Sequence, residues 1–172
     1  MVYVLLACRC ALGLVFAVSA GSKLSSRAAF AEFSAMLKAS GLVPARWRKA
    51  VAVAVIALEI AVVVQLAGVQ VPAGLALAVL LLAVFTAGIG LAVRRGTAVA
   101  CRCFGGSGTT LGYPHLVRNL LLLTLAAVGL AAASGTGAPH PGGVAVAVVA
   151  GAAAAAVLVR FDELTGLFTD PV

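Results

Sequence analysis

Five stretches of this chain are apolar over close to the ~20 residues that a helix needs to cross a bilayer. They run roughly over 3–21, 50–69, 73–93, 116–133 and 143–160. The runs are continuous and do not alternate apolar with polar residues, which argues against a β-barrel. A helix satisfies its own backbone hydrogen bonds, a service lipid cannot provide. Composition agrees: 63% of residues are hydrophobic and 10% charged, where soluble domains run near ~45–50% and ~25%. A soluble domain of this size has too much surface to cover with so few charges. A soluble enzyme, a disordered chain and a disulfide-stapled secreted domain are thereby excluded. The expected fold is all-α: a polytopic transmembrane helical bundle, one integral membrane domain over residues 1–172. The fifth run is the weakest span. Its Gly151–Ala156 segment favours close packing against a neighbouring helix over lipid contact.

Val18-Ser19-Ala20 looks like a signal-peptidase site. Nothing before Arg9 is basic, however, and Arg9 lies inside the apolar stretch, so the first span is expected to be retained. The chain carries 12 Lys and Arg against 5 Asp and Glu. Such a balance in a soluble protein suggests nucleic acid, but here the basic residues flank apolar runs and no nucleic-acid-binding aromatic pattern accompanies them. They read instead as orientation signals. Lys23, Arg27, Lys38, Arg46, Arg48 and Lys49 lie between spans one and two. Arg94, Arg95 and Arg102, with Arg118 just inside the next helix, lie between spans three and four, and Arg160 follows span five. Eleven of the twelve basic residues thus fall on one side. The positive-inside rule makes that side cytoplasmic. The expected setting is the inner cell membrane, with the N-terminus outside and the C-terminus in the cytoplasm.

The first loop has structure of its own. In Arg27–Ser40, Phe30, Phe33 and Leu37 recur at helical spacing, which fits a short interfacial helix over about 27–40, with a solvated connecting loop as the alternative. Gly41 ends it, Pro44 blocks continuation, and Trp47 among Arg46, Arg48 and Lys49 suits an interfacial anchor.

Four cysteines stand in two pairs, Cys8-Arg9-Cys10 and Cys101-Arg102-Cys103. Cys8 and Cys10 fall in a predicted helix, where two positions are about 200° apart. Their side chains point away from each other, and small apolar packing is the expected role, with a bond from one of them to another helix as the alternative. Cys101 and Cys103 are followed by Phe104-Gly105-Gly106-Ser107-Gly108, whose glycines allow a tight turn that brings the two sulfurs together. A Cys-x-Cys disulfide closes a small, strained ring and is easily reduced. Arg102 between the thiols, with Arg94 and Arg95 nearby, favours thiolate, the form that attacks disulfides. Two other readings stay open: free thiols in an ordinary loop, or soft-metal binding such as Cu(I) or Zn(II). A closed zinc site needs four ligands; His115 is a candidate third, and no fourth lies near in sequence.

Charges inside the spans form a second signal. Glu59 lies mid-way along span two and Arg9 about six residues into span one. At ~1.5 Å rise per residue their depths differ by about 6 Å, so an Arg9–Glu59 pair facing the bundle interior is predicted. It would either fix helix register or bind a substrate head group or proton. Arg118 and Asn119, opening span four beside the cysteine loop, are expected to bond that loop or to snorkel.

Taken in order, these features resemble the MauE family of methylamine-utilisation membrane proteins, relatives of the DoxX-like proteins. The resemblance is carried by Arg9, Gly13, Phe16, Ser19, Gly21 and Lys23, then Phe30, Leu58-Glu59 and Phe85. Most specific are Arg95-Gly96, Cys101-Arg102-Cys103-Phe104-Gly105 and Arg118-Asn119. It covers roughly residues 5–133. Arg102 stands where the family usually has glycine, and Cys8 and Cys10 are additional. The resemblance implies a four-helix core, to which the fifth C-terminal span is appended. It also implies a redox-associated role: assisting disulfide formation or maturation of the methylamine dehydrogenase small subunit, with a thioredoxin-like partner.

The expected activity is thiol–disulfide exchange, with Cys101 and Cys103 as attacking and resolving thiols. Arg102, Phe104, Gly105, Arg118, Asn119, Arg9 and Glu59 would support them. A quinone between the helices is a candidate second electron carrier, although no residue pattern marks it. A non-catalytic scaffold or transporter component is the competing class. Disulfide formation in bacteria belongs outside the cytoplasm, whereas the charge pattern puts these thiols at the cytoplasmic face. Either they work there, or the loop dips into the bundle, or the orientation is inverted; the eleven charges favour the first.

Overall fold

The computed structural model describes residues 1–68, 70–95, 100–101, 109–110, 113–135 and 138–161, with backbone alone at 100, 101, 109, 110 and 113. Among them are six α-helices: α1 (Val2–Leu24), α2 (Arg27–Ala39), α3 (Arg48–Ala67), α4 (Val71–Arg94), α5 (Tyr113–Ala132) and α6 (Pro141–Val159). All but α2 are long and apolar enough to cross a membrane. The five expected spans are therefore present, with ends shifted by a few residues.

Local chemistry explains the boundaries. Pro72, Pro114 and Pro141 each fall in the first turn of a helix, where a missing N–H costs nothing and the fixed φ suits the helix. The Ser26 hydroxyl caps α2 by accepting from the Ala29 N–H at 3.0 Å. Just beyond its end, Gly41 adopts φ +67°, which a β-carbon disfavours. Pro44 then leads into a short 3₁₀ turn, Ala45–Trp47, that feeds α3. Trp47 is exposed, and the Arg46 guanidinium lies 6.0 Å from its ring centroid.

Helices α1, α3, α4 and α5 form a ring in which each packs against the next and α5 returns to α1. Neighbours run antiparallel, as short connections require. Leu12, Val15 and Phe16 of α1 meet Val62 and Leu66 of α3, Leu75, Ala78, Leu81 and Leu82 of α4, and Leu122 and Ala126 of α5 in the core. The outer surface is just as apolar: Val53, Val64, Leu80, Val84, Val146 and Val149 are all exposed. In water such a belt would drive aggregation; around a helical ring it is the surface that lipid solvates.

The sixth helix lies outside the ring, parallel to α1. Its buried residues Ala147, Gly151 and Ala155 recur every four positions and form one small-residue stripe. A β-carbon on Gly151 would sit 2.6 Å from the Ala7 carbonyl oxygen and 2.9 Å from Cys10 Cβ. The tyrosine hydroxyl of Tyr3 accepts from the His140 N–H at 3.0 Å, fastening the start of α6. Close packing, expected for this run, is what α6 does. Gly151→Leu is therefore expected to lever α6 off α1 at a cost of about 1–3 kcal/mol. The measurements are the thermal midpoint in detergent and the alkylation rate of Cys10, which should rise as its cover departs. An unchanged rate and midpoint would contradict this packing.

The two N-terminal thiols do diverge. Cys8 is buried against Gly129 of α5, where an added β-carbon would lie 2.9 Å from Cys8 Cβ, while Cys10 faces α6. Both are free.

Candidate functional site

Ser19 and Lys23 lie four residues apart on α1 and so share a face. Glu59 faces them from α3. The Lys23 ammonium donates to Glu59 Oε1 at 2.9 Å and Oε2 at 3.0 Å. It also approaches Ser19 Oγ at 2.7 Å and the Ser19 carbonyl at 3.2 Å. The Ser19 hydroxyl donates to Glu59 Oε1 at 3.0 Å, closing the triangle. Glu59 is 0% and Lys23 4% exposed, so neither charge is solvated and each depends on the other. Phe33 of α2 covers the pair, its ring centroid 5.2 Å from Lys23 Nζ, at a cation–π distance.

The predicted Arg9–Glu59 pair is thus not formed. Arg9 reaches the C-terminus of α3, where Nε donates to the Leu66 carbonyl. Its Nη2 donates to Ala67 and Gly68 carbonyls at 2.9 and 3.2 Å. The last carbonyls of a helix have no intrahelical partner, and in lipid no water replaces one. The expectation failed because it set the two spans level. In fact α1 overshoots the end of α3, and Arg9 stands seven to nine residues beyond Glu59 along α3. Lys23, read as a loop charge, is the partner. The signal that could have found it is the four-residue spacing of Ser19 and Lys23 at the apolar end of span one.

Asn119 turns into the bundle and does not snorkel. Its Nδ2 donates to the Leu82 carbonyl at 3.3 Å and to Thr86 Oγ1 at 3.0 Å, tying α5 to α4. Arg118 and His115, from the same first turns of α5, are also buried. Together with Ser19, Lys23 and Glu59, these three residues line a cavity of about 290 Å³. Apolar side chains such as Phe16, Leu82 and Phe85 form most of the wall. The lining comes from the second halves of α1 and α4, the first halves of α3 and α5, and α2. The cavity therefore occupies the half of the bundle nearest the α1–α3 and α4–α5 connections. This cavity is what the sequence reading missed.

The α4–α5 connection carries the cysteine motif. Its described backbone forms a two-residue antiparallel ladder, with Ala100 opposite Thr110 and Cys101 opposite Thr109. Cys103, Arg102, Phe104 and Gly105 lie outside the described residues, as does the Cys101 side chain. Among the described residues no three His, Cys, Asp or Glu side chains converge as metal ligands would.

Fold and site together define a multi-pass α-helical membrane protein whose four-helix ring encloses a largely apolar cavity containing a buried ion pair. The particular kind is given by sequence: the family described as methylamine utilisation protein MauE matches residues 1–132, and the chain belongs to that family. The match ends with α5 and leaves α6 outside it. No curated protein and no solved structure matches the chain.

Proposed function

We propose that this protein performs thiol–disulfide exchange at the membrane through Cys101 and Cys103, and assists disulfide formation in a partner such as the methylamine dehydrogenase small subunit. A thioredoxin-like protein is the expected exchange partner. The observation that carries the reading is the Cys-Arg-Cys-Phe-Gly motif, whose first cysteine is the second residue of a two-residue ladder between the ends of α4 and α5. A partner thiolate attacks one sulfur of the Cys101–Cys103 disulfide, and the other sulfur leaves as thiolate. A second partner thiolate then attacks the mixed disulfide. The partner gains a disulfide and the pair gains two electrons. Arg102 favours the leaving thiolate.

The basic residues of the connections support an orientation with the N-terminus outside and this loop on the cytoplasmic side of the inner membrane. Lys23 and Arg118 lie inside the bundle and are not among them, while Arg27, Lys38, Arg46, Arg48, Lys49, Arg94, Arg95 and Arg160 remain at the same end.

The test is the redox state of the partner in membranes holding Cys101→Ser, Cys103→Ser or both, read by alkylation shift. Partner oxidation should fall to background in each; unchanged oxidation would leave a non-catalytic membrane component as the better reading. In a chain whose remaining cysteines are replaced, Cys101 should react with an impermeant maleimide only after the cells are opened. Labelling in intact cells would invert the orientation.

A further inference from the structure

We propose that the cavity between α1, α3, α4 and α5 is a binding site for a quinone, the lipid-soluble carrier that takes electrons from the thiol pair. Turnover in this proposal rests on the thiol-redox reading above; binding does not.

The cavity has three properties that select the ligand. Four of the five helices that line it are long and apolar enough to span the bilayer, with α2 and residues 40–43 supplying the rest of the wall, so a ligand entering between those four must itself be lipid-soluble. Its volume, about 290 Å³, lies at the lower end of the range for small-molecule sites. That suits a single ring and the start of its tail, and it is tight for a two-chain lipid. Its Lys23 and Glu59 charges are already matched to each other, with Arg118 elsewhere on the wall. Four oxygens stand within 3.2 Å of Lys23 Nζ, two of them from Glu59. A charged head group would have to break that cluster, whereas a neutral ring with carbonyl acceptors leaves it intact. His115 and Arg118 bring imidazole and guanidinium groups to the same wall. Such groups stabilise the negative charge that grows on a carbonyl oxygen as the ring is reduced.

The chemistry closes. Two thiols becoming one disulfide release two electrons and two protons, and a quinone becoming a quinol takes up two of each. The disulfide regenerated on Cys101 and Cys103 is then ready for the next partner. The site lies on the α5 turns that directly follow the cysteine connection, which starts its return strand at Thr109 and reaches α5 at Tyr113.

The test uses the full chain purified in lipid nanodiscs and a photoreactive azidobenzoquinone, with cross-linked peptides mapped by mass spectrometry. Labelling should fall on α1 beyond Val15 and on α4 and α5 beside the cavity. Decylubiquinone should compete it away, and oleic acid should not. Gly88 lines the cavity, and a β-carbon there meets only Leu42 Cδ1, at 3.7 Å. Gly88→Phe therefore fills the space with little backbone conflict and should reduce competed labelling at least tenfold (order of magnitude). Competition by oleate alone, or competed labelling elsewhere on the chain, overturns the proposal; the peptide map decides this even if Gly88→Phe misfolds. The Cys101→Ser/Cys103→Ser chain should keep the labelling and lose dithiothreitol-driven quinone reduction, followed by absorbance. Undiminished reduction in that variant would sink the thiol reading while leaving the site. Partner oxidation without any quinone labelling would do the reverse.

Discussion

Glu59→Leu is expected to destabilise the bundle by about 3–5 kcal/mol, the cost of leaving a buried charge without its partner. Lys23 cannot easily escape the consequence. It sits at the end of α1 with 4% exposure, under the ring of Phe33, and the Ser19 oxygens alone cannot neutralise an ammonium. Lys23→Met strands Glu59 in the same way and should cost a similar amount. The double variant, Lys23→Met with Glu59→Leu, removes both charges and should recover most of the loss, because a matched buried pair adds little over apolar residues of similar size. The measurement is a double-mutant cycle of unfolding in mixed micelles. Additive losses in the double variant would mean that the two side chains stabilise the fold independently, against the 2.9 Å contact between them.

The second large effect should come from Arg9→Met. Three carbonyls at the end of α3 lose their donor together. Hydrogen bonds to charged groups contribute about 1.5–3 kcal/mol each, and the losses from a single cap overlap, so about 3 kcal/mol is expected in total. The damage should be local, with amide exchange accelerating over the last turn of α3 and the α3–α4 connection before it does elsewhere. Arg9→Lys should recover only part, since an ammonium cannot offer a planar fork to several carbonyls. Uniform exchange across α3 would show that Arg9 acts on the bundle as a whole.

Reading the chain from sequence succeeds where lipid imposes a single answer. Apolar length alone locates the five spans, because no other backbone arrangement satisfies its hydrogen bonds there. Phe30, Phe33 and Leu37 announce α2 by their spacing, and Gly41 marks its end. The alanine–glycine run of 151–156 gives away a tight helix contact. Pairing between spans is harder, since it depends on relative height. An error of about one turn in how far α1 overshoots α3 was enough to match Glu59 with Arg9 instead of Lys23. The cavity was not legible at all: its lining comes from five helices, and no local pattern records a space. The cysteine motif is conspicuous in sequence, but both of its thiols lie outside what the structure describes, so its geometry adds only the backbone pairing of Cys101 with Thr109.

The parallel seating of α6 on α1 has a consequence for biogenesis. Helix α1 finds its most extensive partner in α6, which follows it by more than a hundred residues. Until the chain beyond residue 140 emerges, Tyr3, Ala7 and Cys10 face acyl chains instead of the alanine–glycine stripe that finally covers them. Insertion can proceed span by span, but this joint closes only after all four helices of the ring have preceded α6 into the membrane.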